Sequence, residues 1–183
     1  MITYQQRARR IRLIIFDVDG VLTDGKLMIS GNGEVYKAFH AQDGLGITML
    51  RLMGINSAII TGRQSEIVAF RAAELKITDV YQGEKNKLRA LKHLASKQQC
   101  SFDEIAYVGD DLVDIPAFKN VGLACAVANA VPEVKSLAHY ITTHKGGDGA
   151  VREVAEMILN AQGKWEQLLS AYFTEKPLED QAQ

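Results

Sequence analysis

The chain has 183 residues, of which 47% are hydrophobic and 23% are charged, and this length suits one domain with a sizeable core. Its formal net charge of −1, from 21 basic and 22 acidic residues, gives no electrostatic reason to expect nucleic acid or an anionic membrane as a partner. No apolar run approaches the roughly 18 residues of a membrane-spanning helix, and the two cysteines lack metal-ligand spacing, so we expect a reduced, cytoplasmic protein.

Apolar, strand-like runs alternate along the chain with segments of helical periodicity. The strand candidates are 11–16, 56–60, 78–81, 104–108, 122–127 and 139–142, and the helix candidates are 44–53, 64–75, 85–98, 112–119, 132–137 and 149–161. This alternation predicts an α/β fold with a doubly wound parallel sheet, in which ligands bind at the carboxyl ends of the strands. We expect a single domain over 1–173 and a flexible polar tail over 174–183.

The first strand candidate ends directly before two acids, Asp17 and Asp19, and a glycine that allows a sharp turn, Gly20. Carboxylates crowded at a strand end repel each other and lose hydration, and a divalent cation such as Mg²⁺ relieves both effects. One carboxylate could bind metal and attack an electrophile while the other moves protons. Taken alone, the same residues would also fit an acidic turn or a calcium-type loop.

The segment 25–39 interrupts the alternation and predicts two short strands around an Asn32-Gly33 turn, because both residues tolerate positive φ. Its apolar residues are too many for an isolated two-stranded ribbon, which is marginal in water. They therefore predict that the hairpin packs on another surface. No stretch between the motifs is long enough for a separate cap domain.

The second and third strand-end signals are Thr61-Gly62-Arg63, which follows the strand candidate 56–60, and Lys87. A hydroxyl and free backbone N–H groups at the start of a helix can bind an anion, and a lysine can balance phosphate charge. Each is weak by itself, since a surface lysine is usually just solvated.

The fourth signal follows the strand candidate 104–108, where Asp110 and Asp111 are expected in a loop and Asp114 in the first turn of the next helix. Helix capping would explain one acid comfortably but three poorly. Four polar signals at strand ends in one chain therefore indicate a catalytic edge of the sheet.

This order of motifs resembles the haloacid dehalogenase superfamily of phosphotransferases, with 17–23 similar to its first motif, Thr61 to the second, Lys87 to the third and 109–114 to the fourth. A closer resemblance covers nearly the whole chain. The segments 39–47, 81–83 and 146–153 resemble the 3-deoxy-D-manno-octulosonate 8-phosphate phosphatases, which release a sugar acid used in lipopolysaccharide synthesis.

The resemblance implies a magnesium-dependent phosphatase. Asp17 would attack phosphorus and form an aspartyl phosphate, while Asp19 would protonate the leaving alkoxide and then activate water. Magnesium would be held by Asp17, the main-chain carbonyl of Asp19, and Asp110, with Asp111 and Asp114 orienting the metal shell.

The resemblance also implies how the substrate is bound. Thr61, Gly62 and Lys87 would bind the phosphate. The substrate would contact a loop at His40–Gly44 and other positions, which together are Asp19, His40, Ala41, Gln42, Asp43, Gly44, Thr48, Arg63, Arg71 and Lys87. Relatives often carry a cation where this chain has Gln42, Thr48 or Asp148, so a nine-carbon sugar acid phosphate is the alternative substrate.

A phosphatase without a cap has an open site, and the family covers it with a neighbouring subunit. The resemblance therefore implies a homotetramer with the hairpin 26–39 in the interface. The alternative is a hairpin folded onto its own core.

Two other classes of protein are consistent with parts of this pattern. A receiver domain also combines strand-end acids, a threonine and a lysine, but its phosphoacceptor lies on a later strand without a second aspartate two positions beyond. A catalytically silent interaction subunit would not need every catalytic position to be filled. Magnesium-dependent release of phosphate would distinguish the enzyme from both.

Overall fold

The computed structural model describes residues 2–173. Its main sheet contains six parallel strands, and a separate antiparallel hairpin contains two. The strands are β1 (Leu13–Phe16), β2 (Met28–Ser30), β3 (Gly33–Tyr36), β4 (Asn56–Ile60), β5 (Asp79–Tyr81), β6 (Ile105–Gly109), β7 (Leu123–Ala126) and β8 (Tyr140–Ile141). The main sheet has the order β5-β4-β1-β6-β7-β8, and the hairpin pairs β2 with β3. The predicted α/β fold, with a parallel sheet and a small hairpin insertion, is confirmed.

The α-helices connect the strands and cover the sheet. They are α1 (Tyr4–Ala8), α2 (Ala41–Leu52), α3 (Glu66–Glu74), α4 (Lys87–Lys97), α5 (Ile115–Phe118), α6 (Pro132–Leu137), α7 (Ala150–Ala161) and α8 (Trp165–Tyr172). The chain first moves outward from β1 to β4 and β5, then crosses back to β6 and continues to β8. Because parallel crossovers are right-handed, this reversal places the helices on both faces of the sheet. Within the described chain, no helix is both long and apolar enough to cross a bilayer.

The central strands are buried along their whole length. Every residue of β1 and of β6 is buried, as expected for strands covered on both faces by helices. Register pairs Phe16 with Ile59 on one side and with Val108 on the other. The residues that follow β1, β4 and β6 therefore leave the sheet side by side at its carboxyl edge.

The structure corrects two predicted elements near this edge. The predicted helix 112–119 is a 3₁₀ turn over Leu112–Asp114 followed by the short α5. Pro116 lies in the first turn of α5, where a missing backbone N–H removes no helical hydrogen bond. The predicted loop at His40–Gly44 is instead the start of α2, because the Gly44 amide donates to the His40 carbonyl at 3.2 Å and closes a helical turn.

The hairpin forms as predicted, but its turn lies one residue earlier. Ser30 pairs with Gly33, so the two-residue connection is Gly31-Asn32. Gly33 has φ 107°, a left-handed backbone conformation that residues with a side chain rarely adopt. Both strands expose most of their side chains, and Ile29 remains 61% exposed. The hairpin strands therefore do not pack onto the core of the chain. The predicted tail 174–183 lies outside the described residues.

Candidate active site

Three acids meet at the carboxyl edge of the sheet. Asp17 follows β1, Asp110 follows β6, and Asp114 ends the 3₁₀ turn. Each offers a carboxylate oxygen, and these oxygens lie within 4.8 Å of one another. Gly20 makes this approach possible, since it has φ 90° and a Cβ there would lie 2.0 Å from Asp110 Oδ2. The first and fourth motifs of the sequence thus meet as predicted.

Burial and mutual repulsion disfavour ionisation of these acids. Burial, with repulsion from Asp114, raises the pKa of Asp17 to about 6, although Lys87 opposes the change. Burial, with repulsion from Asp17 and Asp114, raises the pKa of Asp110 to about 7. One buried oxygen of Asp110, Oδ1, has no hydrogen-bond partner. An unpaired oxygen among crowded carboxylates fits a hard divalent cation such as Mg²⁺.

Lys87 is the buried cation of the cluster, and its side chain is only 2% exposed. Its Nζ lies 2.8 Å from Asp17 Oδ2 and 2.6 Å from Asp114 Oδ1. Burial alone lowers the pKa of Lys87, but these two carboxylates raise it above its ordinary value. Lys87 begins α4, where the Asn86 side chain caps the helix by accepting from the Arg89 amide. This cap fixes the helix end that carries the lysine.

Asp114 is fully buried and organises its neighbours. Its Oδ1 accepts from Lys87 and from the Tyr107 hydroxyl at 2.9 Å. Its Oδ2 accepts from the amides of Asp110 and Asp111 at 2.9 and 3.2 Å. Each oxygen of Asp114 thus has two donors, whereas each oxygen of Asp17 has one, from the Val18 amide at 2.7 Å and from Lys87, and Asp110 Oδ1 has none. Asp17 and Asp110 are therefore the better placed to bind a metal. This arrangement fits the predicted orienting role of Asp114.

Asp111 has a different environment from the other acids of its motif. It is exposed, it is not one of the three clustered carboxylates, and its side chain caps the 3₁₀ turn by accepting from the Leu112 amide at 2.7 Å. This contact is the capping that the sequence allowed for one acid of the motif.

Asp19 lies at the rim of the site and contacts two cations. Its Oδ1 is 2.5 Å from Lys37 Nζ, and its Oδ2 is 3.8 Å from Arg63 Nε. Lys37 also lies 2.9 Å from Glu34, and Glu34 accepts a hydrogen bond from the Ser65 hydroxyl. The base of the hairpin is thereby tied to the start of α3.

Thr61 and Gly62 follow β4 next to the acids. Thr61 is buried, and its backbone is held by bonds to Tyr81 and Glu84. Gly62 is exposed, and no heavy atom lies within 4 Å of the place where its Cβ would be. The structure therefore leaves open space for an anion at the position where the sequence predicted one.

The predicted substrate residues of α2 divide into two groups. Ala41 and Gln42 are exposed in the first turn, whereas Asp43 is buried and accepts from the amides of Gly149 and Arg152, capping α7. His40, the residue before α2, is partly buried, and the Thr48 hydroxyl donates to the Gly44 carbonyl at 3.2 Å. Asp43 and Thr48 thus already bond within the protein.

Arg71 reaches the same region from α3. Its guanidinium lies 5.8 Å from the centre of the Phe39 ring and 3.2 Å from Glu74. Gly44 makes room for it, because a Cβ there would lie 2.3 Å from Arg71 Nη2. A cavity of about 390 Å³ adjoins this arginine and is also lined by Lys37, Ala41 and Phe70.

A late segment of the chain supports the catalytic loop. The Asn129 side chain donates to the Gly20 carbonyl at 3.0 Å and accepts from the Gly146 amide at 2.6 Å. The Gly147 amide donates to the Val21 carbonyl at 2.9 Å. A Cβ on Gly146 would lie 1.8 Å from the Gly20 carbonyl oxygen, so the two backbones touch directly.

Sequence reasoning missed three residues of the site, namely Lys37, Tyr107 and Asn129. Tyr107 gave a usable signal, because a hydroxyl in a strand that is otherwise apolar needs a buried partner. Lys37 and Asn129 gave none, since each acts through a neighbour that is distant in sequence.

Comparison with known proteins agrees with this geometry. A family profile for haloacid dehalogenase-like hydrolases matches residues 54–154. The 3-deoxy-D-manno-octulosonate 8-phosphate phosphatase of Yersinia pestis is 50% identical over 161 residues, which cover 88% of this chain and 86% of the relative. The Escherichia coli phosphatase of the same name is 49% identical over 86% of this chain and 84% of its own.

Solved structures agree as well. The crystal structure of the Moraxella catarrhalis 3-deoxy-D-manno-octulosonate 8-phosphate phosphatase, in complex with a magnesium ion, a phosphate ion and a KDO molecule, superposes with a TM-score of 0.90 at 43% identity. The match covers 92% of this chain and 97% of that one. At such identity over most of both chains, this protein is a phosphatase that belongs to the 3-deoxy-D-manno-octulosonate 8-phosphate phosphatase family of the haloacid dehalogenase-like hydrolases.

Proposed function

We propose that this phosphatase hydrolyses 3-deoxy-D-manno-octulosonate 8-phosphate to the free sugar acid and phosphate, in the cytoplasm and for lipopolysaccharide synthesis. The reaction uses Mg²⁺ and passes through an aspartyl phosphate on Asp17. The observation that carries the chemistry is the buried cluster of Asp17, Asp110 and Asp114 around Lys87, with one Asp110 oxygen left unpaired. The relatives named above support the choice of substrate.

In the first step, a carboxylate oxygen of Asp17 forms a bond to phosphorus while the bond from phosphorus to the sugar oxygen breaks. Asp19 gives its proton to the departing oxygen, and the sugar acid leaves. Lys87 and the Thr61-Gly62 segment bind the phosphoryl oxygens, where negative charge is concentrated.

In the second step, Asp19 is ionised and takes a proton from water as the water oxygen attacks phosphorus. The bond between Asp17 and phosphorus breaks, inorganic phosphate leaves, and both aspartates return to their starting states. Asp19 therefore acts as acid and then as base, which suits its place at the open rim beside the buried nucleophile.

A bound Mg²⁺ would keep the crowded carboxylates ionised and offset charge on the phosphoryl oxygens. Asp17, the main-chain carbonyl of Asp19, and Asp110 would hold it. Asp114 would orient Lys87 and the Asp110 amide, as its hydrogen bonds indicate. For Asp111 we propose a contribution to the same loop through its cap on the 3₁₀ turn.

Selectivity for a sugar acid needs groups that reach the substrate carboxylate, since the phosphoryl-binding residues would serve any phosphate monoester. Arg63 has a half-exposed side chain close to Asp19. Arg71 lies beside the cavity next to α2. An arginine grips a carboxylate through two parallel hydrogen bonds, so these two side chains, with His40, are the proposed substrate-binding groups.

We further propose that the protein is a homotetramer in which the hairpin strands β2 and β3 are covered by neighbouring subunits. Ile29 is 61% exposed and Val35 is 55% exposed in the single chain. Neighbouring apolar side chains left exposed in this way are typical of surfaces that bind another protein. Sedimentation of an active species at the monomer mass of 20.2 kDa would contradict this proposal.

The substrate is tested by comparing kcat/KM for the eight-carbon sugar acid phosphate, a nine-carbon sugar acid phosphate and a simple hexose phosphate, each with Mg²⁺. We expect the highest kcat/KM for the eight-carbon substrate. A higher value for the nine-carbon compound would move the assignment to that alternative substrate. An equal kcat/KM for the hexose phosphate would show a phosphatase without selectivity for sugar acids.

A further inference from the structure

Lys37 is a buried lysine that no sequence motif pointed to. It follows β3 at the base of the hairpin, and only 2% of its side chain is exposed. By contrast, Lys26, which precedes the other strand of the hairpin, is 78% exposed and pairs with Asp24 on the surface. Ordering a long lysine side chain costs rotamer entropy, and burying its ammonium costs hydration. A lysine held in this way must have strong partners.

The partners of Lys37 are two carboxylates. Its Nζ lies 2.5 Å from Asp19 Oδ1 and 2.9 Å from Glu34 Oε1. Burial lowers the pKa of Lys37, but the hydrogen bonds that its ammonium donates to these carboxylates raise the pKa above its ordinary value. Glu34 is in turn bonded by the Ser65 hydroxyl at the start of α3. Lys37 is therefore fixed to the body of the domain from one side and to Asp19 from the other.

Asp19 has few other restraints. It lies in the turn after β1 and is partly exposed. Within residues 2–173, the other cation near its carboxylate is Arg63, whose Nε is 3.8 Å from Oδ2, which is too long for a hydrogen bond. The contact from Lys37 to Oδ1 is thus the short hydrogen bond that sets the orientation of this carboxyl group.

We propose that Lys37 is a positioning residue that holds Asp19 Oδ1, so that Asp19 Oδ2 faces the leaving-group oxygen and carries the transferred proton. The two oxygens then have separate tasks. Oδ1 can accept from Lys37 whether Asp19 is protonated or ionised, because a neutral carboxyl group keeps an acceptor oxygen. The orientation therefore persists through both steps. This inference rests on the proposed acid–base role of Asp19.

The test uses the dependence of the reaction on its leaving group. An alkoxide, as in a sugar acid phosphate, is a poor leaving group that needs a proton, whereas 4-nitrophenolate leaves without one. The value of kcat/KM reports the steps up to phosphoryl transfer. Loss of a positioned general acid should therefore lower kcat/KM strongly for the sugar acid phosphate and weakly for 4-nitrophenyl phosphate.

For Lys37→Met we expect kcat/KM for the sugar acid phosphate to fall roughly 30-fold. This loss is smaller than the rate factor that a complete general acid contributes, because Asp19 itself is still present. With 4-nitrophenyl phosphate the fall should stay under about threefold, since that leaving group needs no proton. The loss should lie mainly in kcat, and Lys37→Arg should recover part of it. Lys92→Met is the control, because it removes an exposed lysine outside the hairpin and the site, and it should leave kcat/KM for both substrates unchanged. Thermal unfolding of each variant verifies that the fold is retained.

Asp19→Asn provides the reference that separates two kinds of failure. If Asp19→Asn lowers kcat/KM equally for both substrates, the acid role of Asp19 is wrong and the role of Lys37 falls with it. The other outcome is that Asp19→Asn shows the leaving-group dependence while Lys37→Met lowers kcat/KM equally for both substrates, or for neither. In that case only the Lys37 proposal is overturned.

Discussion

The two sides of the active site are built differently. On the sheet side, Asp114 is fully buried, the Lys87 side chain is 2% exposed, and each has at least two close polar partners. On the hairpin side, Asp19 is 21% exposed and Arg63 is 50% exposed. The sheet side would meet the same phosphoryl group and metal in every catalytic cycle, and it is fixed in advance. The hairpin side would meet the variable part of the substrate, and in the single chain these two side chains are open to solvent.

The largest effect is expected on the sheet side, from Asp17→Asn. The change removes the proposed nucleophile and a metal ligand with almost no change in volume. Steady-state kcat should fall by roughly four orders of magnitude or more, as for other nucleophile substitutions. The measurement is release of phosphate from the sugar acid phosphate, with circular dichroism as the check on folding. Substantial activity in the purified variant would refute the nucleophile assignment.

Lys87→Met should be the most destabilising of these substitutions. It removes the cation that Asp17 and Asp114 share and leaves their carboxylates buried without a counter-charge. The free energy of unfolding should fall by about 3 kcal/mol, as when other buried ion pairs are broken. Urea denaturation measures the change. Lys92→Met, at an exposed position of the same helix, is the control and should change stability by less than about 0.5 kcal/mol.

Removing the metal tests whether the three clustered acids bind Mg²⁺. Mg²⁺ should raise the melting temperature, since a ligand at 100 times its Kd stabilises the native state by about 2.7 kcal/mol. Asp110→Asn should remove most of this shift. Activity should disappear after exhaustive chelation and return with Mg²⁺, but poorly with Ca²⁺, which accepts looser coordination. Full activity in the chelated enzyme would contradict the metal role.

The raised pKa values predict a pH dependence for the metal-free protein. Burial raises the pKa of Asp17 to about 6 and that of Asp110 to about 7, both above the ordinary 3.8. The native state therefore binds protons more tightly than the unfolded state, so this contribution to stability is complete below pH 3.8 and is lost as the pH rises through 6 and 7.

The measurement is the free energy of unfolding in chelator from pH 5 to pH 8. Over this range the free energy of unfolding of the wild type should fall by about 2 kcal/mol more than that of Asp110→Asn. This energy corresponds to a pKa difference of between one and two units. Comparing the two proteins cancels the other titrating groups. An equal slope in both would show that Asp110 does not have the raised pKa.

The smallest effect on stability is expected on the hairpin side, from Arg63→Met. Because the side chain is half exposed, the free energy of unfolding should change by less than about 0.5 kcal/mol. The value of kcat/KM for the sugar acid phosphate should nevertheless fall about tenfold, which corresponds to about 1.4 kcal/mol of lost binding to the carboxylate. The same variant should hardly change kcat/KM for a phosphate ester that lacks a carboxylate. A stability loss as large as that of Lys87→Met would remove the contrast between the two sides.

This contrast also explains what could be predicted from the sequence. Asp17, Thr61 and Asp110 follow apolar runs, and a parallel sheet brings its strand ends together, so local pattern was enough to place them at one edge. Lys37 contacts Asp19, which is 18 residues earlier, and the sequence pattern predicts the hairpin but not where its base meets the loop after β1. Asp43 was expected at the substrate, but its partners are the amides of α7, more than 100 residues away. Contacts between distant segments leave no periodic signal.

The backbone contact between Gly146 and Gly20 has a consequence for how the enzyme is made. The loop after β1 is synthesised before its support from Asn129, Gly146 and Gly147, which comes more than 100 residues later. A growing chain on the ribosome therefore carries its nucleophile long before the loop around it can be fixed. Truncated chains that end before residue 146 would contain Asp17 and the hairpin without this support. Catalytic competence thus depends on residues that are made more than 100 positions after the nucleophile.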